Sequence, residues 1–380
     1  MAEKQVTLKN TGALGDFVLA SALQHALGER GFNVGIISPA FMHPLWNHFD
    51  IRGFTVRTFK TDADVPAGET VVDISTYLRH FPHSDKIPGG HGRKGHLSEW
   101  MGIEFLAKGG DQVLTNANIN PNTLHVSPSH VRVHLTDHEI DQGYALLQNI
   151  GDGKPVLIVA PLSAPPKEDK TSLGPRDLRP ATVAYLADTA KKLGAVPALF
   201  GPVEEYARLG DPSSLREYAI IPRQDVRMLS AALLCADAFV SVDTGPLHVA
   251  AGAYQGSQTA AQTKGLPGLW KIVAVLGSSA RETLAYGTEP SHTTQTLQTV
   301  SDCALIQVGS PCGNHGYAPS DAYTTHFKPV IGTTGTFDSK KQCLYITVEG
   351  SQPHMHTCMT SVNHNDLGER LNMLINERAR

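Results

Sequence analysis

Short apolar runs alternate with amphipathic stretches along most of the chain. QVTLKN near the N-terminus predicts a strand, and FVLASALQHALGERG has helical periodicity up to Gly31. NVGIIS is the next predicted strand, so the chain opens as a βαβ unit with the turn Gly12 to Gly15 between its first two elements. Further strands are predicted at residues 70–75 (TVVDIS) and 130–135 (HVRVHL).

The same alternation starts again after a linker. A predicted helix, HEIDQGYALLQNI, ends at GDGKP, and VLIVAPL (156–162) then begins a second series of strands and helices that reaches KIVAVLG (271–277). This pattern predicts two successive α/β units, each with a mostly parallel sheet. We assign residues 1–150 to the first domain, 151–300 to the second, and 301–380 to an irregular tail closed by an amphipathic helix.

Composition agrees with two globular domains. The chain has 380 residues, of which 41% are hydrophobic and 18% charged, and this is typical of a soluble globular protein. Its net charge of −4 gives no overall attraction to a polyanion such as nucleic acid. The N-terminus lacks the continuous apolar core of a secretory signal, and no apolar run approaches the length of a membrane span. We therefore expect a cytoplasmic protein.

Three polar, glycine-containing turns follow predicted strands: TGALGD, PLSAPPKEDKTSLGPRDLRP and DTGPLH. In open α/β sheets, ligands bind beyond the carboxyl ends of the strands. In DTGPLH, Pro246 suits the first helical position and Gly245 lets the backbone approach a ligand closely. The new helix N-terminus suits a phosphate, to which His248 could donate, while Asp243 would orient donors or accept from ribose hydroxyls. An ordinary helix cap with a core histidine is the alternative.

The D-T-G sequence is also the signature of aspartic proteases, which pair two such aspartates around one water. Those enzymes are all-β and carry a second copy of the motif. This chain has one copy, followed by a predicted helix in an α/β pattern, so the protease interpretation is excluded.

Three segments, in the order NTGALGDFVLASALQHAL, VSVDTGPLHVAAGA and IVAVLGSSARETLAYG, resemble the motifs of the heptosyltransferases of glycosyltransferase family nine. They span most of the chain, from about residue 5 to residue 290. The resemblance implies a GT-B fold, in which two Rossmann-like domains face each other across a cleft. It places the acceptor on the first domain and the nucleotide sugar on the second.

The resemblance also implies roles for individual residues. Asp16 corresponds to the family's proposed general base, and Gly12 and Gly15 are the glycines of the turn that leads to it. The loop after the first strand of the second domain supplies hydroxyls and a cation, and Arg176 is the closest positional match to the family's lysine. FGPVEEYARL resembles the segment whose glutamate holds the ribose, and we choose Glu204 over Glu205. The predicted donor-binding set is completed by Ser163, Lys167, Lys170, Asp243, Thr244, Gly245 and His248.

Cysteines are unevenly placed. Cys235 lies in an apolar helical pattern that predicts a buried structural thiol. The other four fall in the last fifth of the chain, and we expect them to bind one zinc or iron ion. Members of the family that glycosylate autotransporter proteins carry a C-terminal four-cysteine iron site, which PCGNHG, KKQCLYI and HTCMTSV resemble distantly. The predicted ligands are Cys303, Cys312, Cys343 and Cys358.

The hypothesis that these features favour is an inverting glycosyltransferase that moves a sugar from a nucleoside-diphosphate donor, ADP-heptose by resemblance, to a hydroxyl. The acceptor is a glycan, a protein side chain or a modified nucleobase. The loop HFPHSDKIPGGHGRKGH (80–96), with Arg93 and Lys94, either grips an acidic acceptor or is a solvated surface loop. A nucleotide-binding module without transfer activity remains the alternative. A dinucleotide oxidoreductase is disfavoured because GALGDF lacks the full G-x-G-x-x-G.

Overall fold

Two parallel β-sheets and the helices around them form the described part of this computed structural model. The residues that the structure describes are 4–48, 50–51, 54–75, 96–163, 173, 176–210, 215–276, 286, 304–307, 359 and 362–376.

The first sheet has four parallel strands in the order β5-β2-β1-β6. Because the order reverses between β1 and β6, the turn that follows β1 opens at the switch point of this sheet. A two-residue antiparallel pair, β3 with β4, lies outside it. The strands are β1 (Lys4–Lys9), β2 (Phe32–Ile37), β3 (Asp50–Ile51), β4 (Phe54–Thr55), β5 (Arg57–Phe59) and β6 (Thr70–Asp73).

The second sheet has six parallel strands in the order β12-β11-β10-β7-β8-β9. Counted from β7, this is the strand order of dinucleotide-binding Rossmann sheets, and the order reverses between β7 and β10. The segments that follow these two strands are therefore neighbours at the switch point. The strands are β7 (Val156–Ala160), β8 (Val196–Phe200), β9 (Ala219–Ile221), β10 (Ala238–Ser241), β11 (Ile272–Leu276) and β12 (Ala304–Gln307).

Helices connect the strands and cover the sheets. Helix α1 follows β1, and α7 follows β10, so each begins at the carboxyl end of a strand at a switch point. Residues Val203–Leu209, which follow β8, form a 3-10 helix. The α-helices are α1 (Leu14–Gly28), α2 (Leu97–Phe105), α3 (Asp111–Asn116), α4 (Asp137–Gly151), α5 (Pro180–Lys192), α6 (Val226–Cys235), α7 (Gly245–Gly256), α8 (Gln258–Thr263) and α9 (His364–Asn376).

The apolar core follows the alternation of the buried strands. Ile158 and Phe239, on one face of the second sheet, join a core that continues through α6, α7 and α1 to the first sheet. Leu157 and Val240, one residue away, face a second cluster that includes α5 and α9. Because both faces are covered, the strands are continuous apolar runs. Cys235 is buried in the first core, so its predicted role as a structural thiol is confirmed in its burial.

The structure corrects one predicted strand. Residues 131–135 (VRVHL) pair with neither sheet, and His130 ends a short 3-10 helix, Pro128–His130. Their backbone N–H groups find other acceptors: that of Arg132 donates to Ser21 Oγ at 2.8 Å, and that of Val133 donates to the Gly252 carbonyl at 2.8 Å. Two helices that the periodicity did not predict, α2 and α3, lie between the first sheet and this segment in the chain.

The closing helix packs on the second sheet unit. Leu367 and Leu371 of α9 lie in the core cluster that contains Val183 of α5. The His364 ring stacks on Tyr185 with centroids 4.3 Å apart. Among the described residues, no helix combines the length and apolar character needed to cross a lipid bilayer.

Candidate functional site

The N-termini of α1 and α7 meet at two glycines. A Cβ built on Gly15 would lie 3.3 Å from Gly245 Cα and 2.6 Å from His248 Cδ2. A Cβ on Gly245 would lie 3.2 Å from Leu14 Cβ. Glycine is therefore required on both sides, because any side chain would force the helices apart. The contact unites TGALGD with DTGPLH, two segments from opposite halves of the chain.

Asp16 lies in the first turn of α1. Its Oδ2 accepts a hydrogen bond from the Ala13 backbone N–H at 2.6 Å, which fixes the carboxylate over the turn. A Cβ on Gly12 would collide with that carboxylate, so the glycine makes room for it. Asn10, at the end of β1, braces the turn by accepting from Gly12 N–H at 2.9 Å and donating to the Asp16 carbonyl at 3.1 Å. Asp16 is half-buried and lies at the junction of the two helices.

Asp243, the first residue of the second turn, is buried and forms an ion pair with Arg176. Only 3% of its surface is exposed, and Arg176 donates to its Oδ2 at 3.1 Å and to its carbonyl at 3.2 Å. The guanidinium offsets the buried negative charge, which would otherwise repel an anion at this turn. Thr244 is the N-cap of α7 in extended backbone. The helix begins at Gly245, so Pro246 is its second residue. The sequence had suggested that Pro246 would be the first.

His248 is buried one turn into α7. Its Nδ1 lies 2.5 Å from the hydroxyl oxygen of Tyr286. Burial lowers the pKa of the imidazole, while the carboxylates of Asp243 and Asp16 act in the opposite direction. A lowered pKa keeps the ring neutral at pH 7, so it can donate one hydrogen bond without carrying a charge.

His96 contacts the same tyrosine as His248. Its ring meets the Tyr286 ring edge-on with centroids 4.7 Å apart, and burial lowers its pKa well below the ordinary value. Its Nδ1 accepts from the Ser98 backbone N–H at 3.2 Å, so the proton of the neutral ring is on Nε2. That Nε2 is buried, and it has no hydrogen-bond partner in the part of the chain that the structure describes. His96 is the described residue of the loop 80–96; Arg93 and Lys94 lie outside the described residues.

Ser163, after β7, belongs to a buried polar network. Its backbone N–H and its hydroxyl both donate to Asp177 Oδ1, at 2.6 and 2.7 Å. Arg208 donates to Asp177 Oδ2 at 3.0 Å and to the Ser163 carbonyl at 2.6 Å. The network ties both ends of the loop to each other, and Arg176 stands next to Asp177 in the chain. The loop residues Lys167 and Lys170 lie outside the described residues.

The two candidate ribose-binding glutamates occupy different positions. Glu204 is exposed. Glu205 lies beside Gly201, where a Cβ would come within 3.0 Å of its Oε2, and pairs with Arg223 at 2.9 Å. Glu205 is thus the one whose carboxylate sits at the end of β8. The assignment of the ribose to Glu204 stays a prediction. The predicted metal ligands Cys303, Cys312, Cys343 and Cys358 lie outside the described residues.

The fold thus brings Gly12, Gly15, Asp16, Arg176, Asp243, Thr244, Gly245 and His248 to one place. Sequence reasoning missed Asn10, His96, Asp177, Arg208 and Tyr286. Tyr286 stands inside the third motif, IVAVLGSSARETLAYG, and His96 inside the histidine-rich loop, so both carried a signal. For Asp177 the signal was an acidic residue in a basic loop.

Comparison with known proteins finds relatives through structure. No protein-family model matches the chain, and no curated protein sequence matches it either. The solved structure of a glycosyl transferase family 9 protein from Veillonella parvula DSM 2008 is 13% identical, with a TM-score of 0.52 over 98% of this chain and 97% of that one. The structure of the E. coli ADP-heptose lps heptosyltransferase II is 14% identical, with a TM-score of 0.53 over 99% of this chain and all 100% of that one.

Both similarities extend over essentially the full length of the two chains compared. They confirm the α/β fold with two parallel sheets that the sequence predicted. The protein therefore has the GT-B architecture of these glycosyltransferase structures, with the paired helix N-termini of α1 and α7 at the junction of its two halves.

Proposed function

We propose that the protein is an inverting glycosyltransferase that uses a nucleoside-diphosphate sugar. The observation that supports this most strongly is the contact between Gly15 and His248, which sets Asp16 beside the D-T-G turn. A proton acceptor and an anion-binding helix N-terminus are the two groups that an attack by a hydroxyl on a sugar diphosphate requires.

The donor diphosphate would bind at the N-terminus of α7. The start of an α-helix offers backbone N–H groups without helical partners, and its dipole favours a negative charge there. In α7 this donor is the N–H of Gly245, because Pro246 has no N–H and the Leu247 N–H donates to the Thr244 carbonyl at 3.0 Å. Arg176 supplies a cation next to the turn, and Asp243 holds that cation in place. The nucleoside would lie over the carboxyl ends of β7 and β8, where Ser163 is fixed by Asp177 and where Glu204 follows β8.

In the proposed reaction, the Asp16 carboxylate takes the proton of the acceptor hydroxyl as its oxygen forms a bond to the anomeric carbon. The bond from that carbon to the diphosphate breaks on the opposite face, so the configuration is inverted. Negative charge grows on the departing diphosphate, where the helix N-terminus and a neutral, donating His248 stabilise it. No step requires a metal ion.

ADP-heptose is the favoured donor, and the E. coli relative supports this choice because its name gives the same nucleotide sugar. The acceptor would approach from the first sheet, on the α1 side of the junction, because Asp16 belongs to that half. A hydroxyl of a glycan, a protein side chain or a modified nucleobase fits this chemistry.

A nucleotide-binding module that lacks transfer activity is the second candidate. Incubation of the full chain with ADP-heptose and other nucleotide sugars, followed by detection of released ADP and of a transferred sugar, separates the two. Release of ADP that depends on Asp16 supports the transferase. Tight binding of ADP without release from any donor would establish the module, and affinity for NAD(H) alone would overturn both.

A further inference from the structure

A second cluster of metal-binding side chains lies at the far end of α1. His25 and Glu29 are one turn apart on this helix, and His25 Nε2 lies 3.4 Å from Glu29 Oε1. The His130 ring faces His25 with centroids 4.7 Å apart. One ligand atom from each of the three residues falls within 4.8 Å of the others.

From this arrangement we infer a binding site for a divalent transition-metal ion, with zinc as the preferred metal, formed by His25, Glu29 and His130. Two imidazoles and one carboxylate are a ligand set that zinc uses, with water in the fourth position. The inference is independent of the proposed transferase activity.

Burial makes the histidines suitable ligands. His25 is only 8% exposed, and among the described residues the buried Nδ1 atoms of His25 and His130 have no hydrogen-bond partner. Burial, assisted by Arg132 and His130, lowers the pKa of His25 to about 4, and burial also lowers that of His130. Both rings are therefore neutral at pH 7, which is the form that binds a metal.

Hydrogen bonds hold the two parts of the site together on both sides. The Arg132 backbone N–H donates to Ser21 Oγ at 2.8 Å, and the Arg30 side chain donates to the Thr123 carbonyl. The segment that carries His130 is thus fixed to α1 before any ion binds. Zinc needs ligand distances of about 2.0–2.2 Å, so closing the 4.8 Å spread requires modest rotations of the half-buried Glu29 and His130 side chains.

The site is separate from the proposed donor site. His25 lies nine positions beyond Asp16 on α1, a rise of roughly 14 Å. A metal here would clamp α1 to the segment 130–135, which itself contacts α7 through Val133 and Gly252. Its role would be to stabilise the junction of the two halves, without touching the diphosphate.

Arg132 supplies a sharp test because its charge opposes the ion. Its guanidinium is close enough to lower the pKa of His25, so it would also repel a bound cation. Arg132→Gln keeps all three ligands and removes this repulsion. We expect it to bind zinc several-fold more tightly than the wild type.

The full chain, stripped with a chelator, is titrated with zinc by calorimetry and with cobalt(II) by absorption. To remove any contribution from the tail, the background carries serine at Cys303, Cys312, Cys343 and Cys358. His130→Ala should weaken zinc binding by roughly 100-fold, since even outer-shell changes cost about 10–100-fold. His138→Ala, an exposed histidine of α4, is the matched control and should bind normally.

Support for the site is one equivalent of zinc in the background without the four tail cysteines, cobalt bands without thiolate charge transfer, and a thermal stabilisation that His130→Ala abolishes. Equal zinc affinity in His130→Ala and His138→Ala would overturn it. Absence of binding in the background without the four tail cysteines, with a normally folded protein by circular dichroism, would overturn it as well.

Discussion

His248 Nδ1 and the Tyr286 hydroxyl form a 2.5 Å hydrogen bond between two buried side chains. If the hydroxyl donates, the proton of the neutral imidazole is on Nε2. That atom lies 3.5 Å from the position of a Cβ on Gly15, on the side of α1. The tyrosine would then fix the tautomer that can donate to a phosphate, and so act as a positioning residue.

Tyr286→Phe should therefore release the tautomer and weaken ADP binding by about 1 kcal/mol, the usual net contribution of one hydrogen bond. Nitrogen chemical shifts of His248 report the tautomer, and calorimetry reports the affinity. Tyr218→Phe is the matched control, because that buried hydroxyl donates to the Val183 carbonyl on the other face of the second sheet. The same Kd for ADP in both variants, with unchanged His248 shifts, would remove the assigned role.

Asp16→Asn separates proton transfer from binding. The amide oxygen can still accept from Ala13 N–H, so the turn should persist, but it cannot take a proton. We expect kcat to fall by roughly 100-fold or more while ADP affinity survives. A wild-type turnover rate in this variant would exclude Asp16 as the base.

His248→Ala should lose affinity for ADP, the property that Asp16→Asn is expected to keep. Loss of a hydrogen bond to a charged phosphate should weaken ADP binding by about 1.5–3 kcal/mol. Calorimetric titration with ADP measures this directly. Unchanged affinity would reduce DTGPLH to a helix cap beside a core histidine.

The two glycines of the first turn should also differ from each other. In Gly15→Ala the new Cβ meets His248 at 2.6 Å and the backbone of Gly245 at 3.3 Å, so we expect lost ADP affinity and about 1–3 kcal/mol of lost stability. In Gly12→Ala the three nearest atoms to the new Cβ all belong to Asp16, with its Cβ at 2.5 Å and its carboxylate Oδ2 closer still, so kcat should fall with ADP affinity kept. Chemical denaturation and calorimetry give both quantities. Identical behaviour of the two variants would contradict the geometry.

Acid should weaken the contact between α4 and α6, because an ion pair joins these two helices. Arg227 of α6 binds Glu139 of α4 through two hydrogen bonds of 2.5 and 2.6 Å. Burial opposes the charge of Glu139, but the hydrogen bonds from Arg227, together with those from the Thr136 backbone N–H and hydroxyl, outweigh it and lower the pKa from 4.5 to about 2. This stabilisation is therefore present above pH 4.5 and disappears as the pH falls towards about 2.

The measurement is the free energy of unfolding of the wild type and Glu139→Gln at several pH values. The difference between them should be largest near pH 7 and shrink through the acid range. Asp137→Asn, an exposed position in the same helical turn, is the control and should show little difference at any pH. A constant difference for Glu139→Gln from pH 7 to pH 3 would refute the assignment.

Local pattern determined most of the secondary structure in the two sheets. Continuous apolar runs such as VLIVA, separated by helices long enough to cross the sheet, permit parallel strands and little else. The turn TGALGD and the motif DTGPLH were identified as sites for the same reason, since polar residues at strand ends cannot be explained by the core. The motifs also carried the GT-B prediction.

Contacts between distant segments needed the tertiary structure. The pattern HVRVHL fits a strand, but two of its backbone donors pair instead with the Ser21 hydroxyl and the Gly252 carbonyl, which lie beside it. The contact of Gly15 with His248 and the bond from His248 to Tyr286 join three segments far apart in the sequence. Spacing along the chain contains no information on such distances. The crossing of α1 and α7 determines the first of them, and the position of Tyr286 against His248 determines the second.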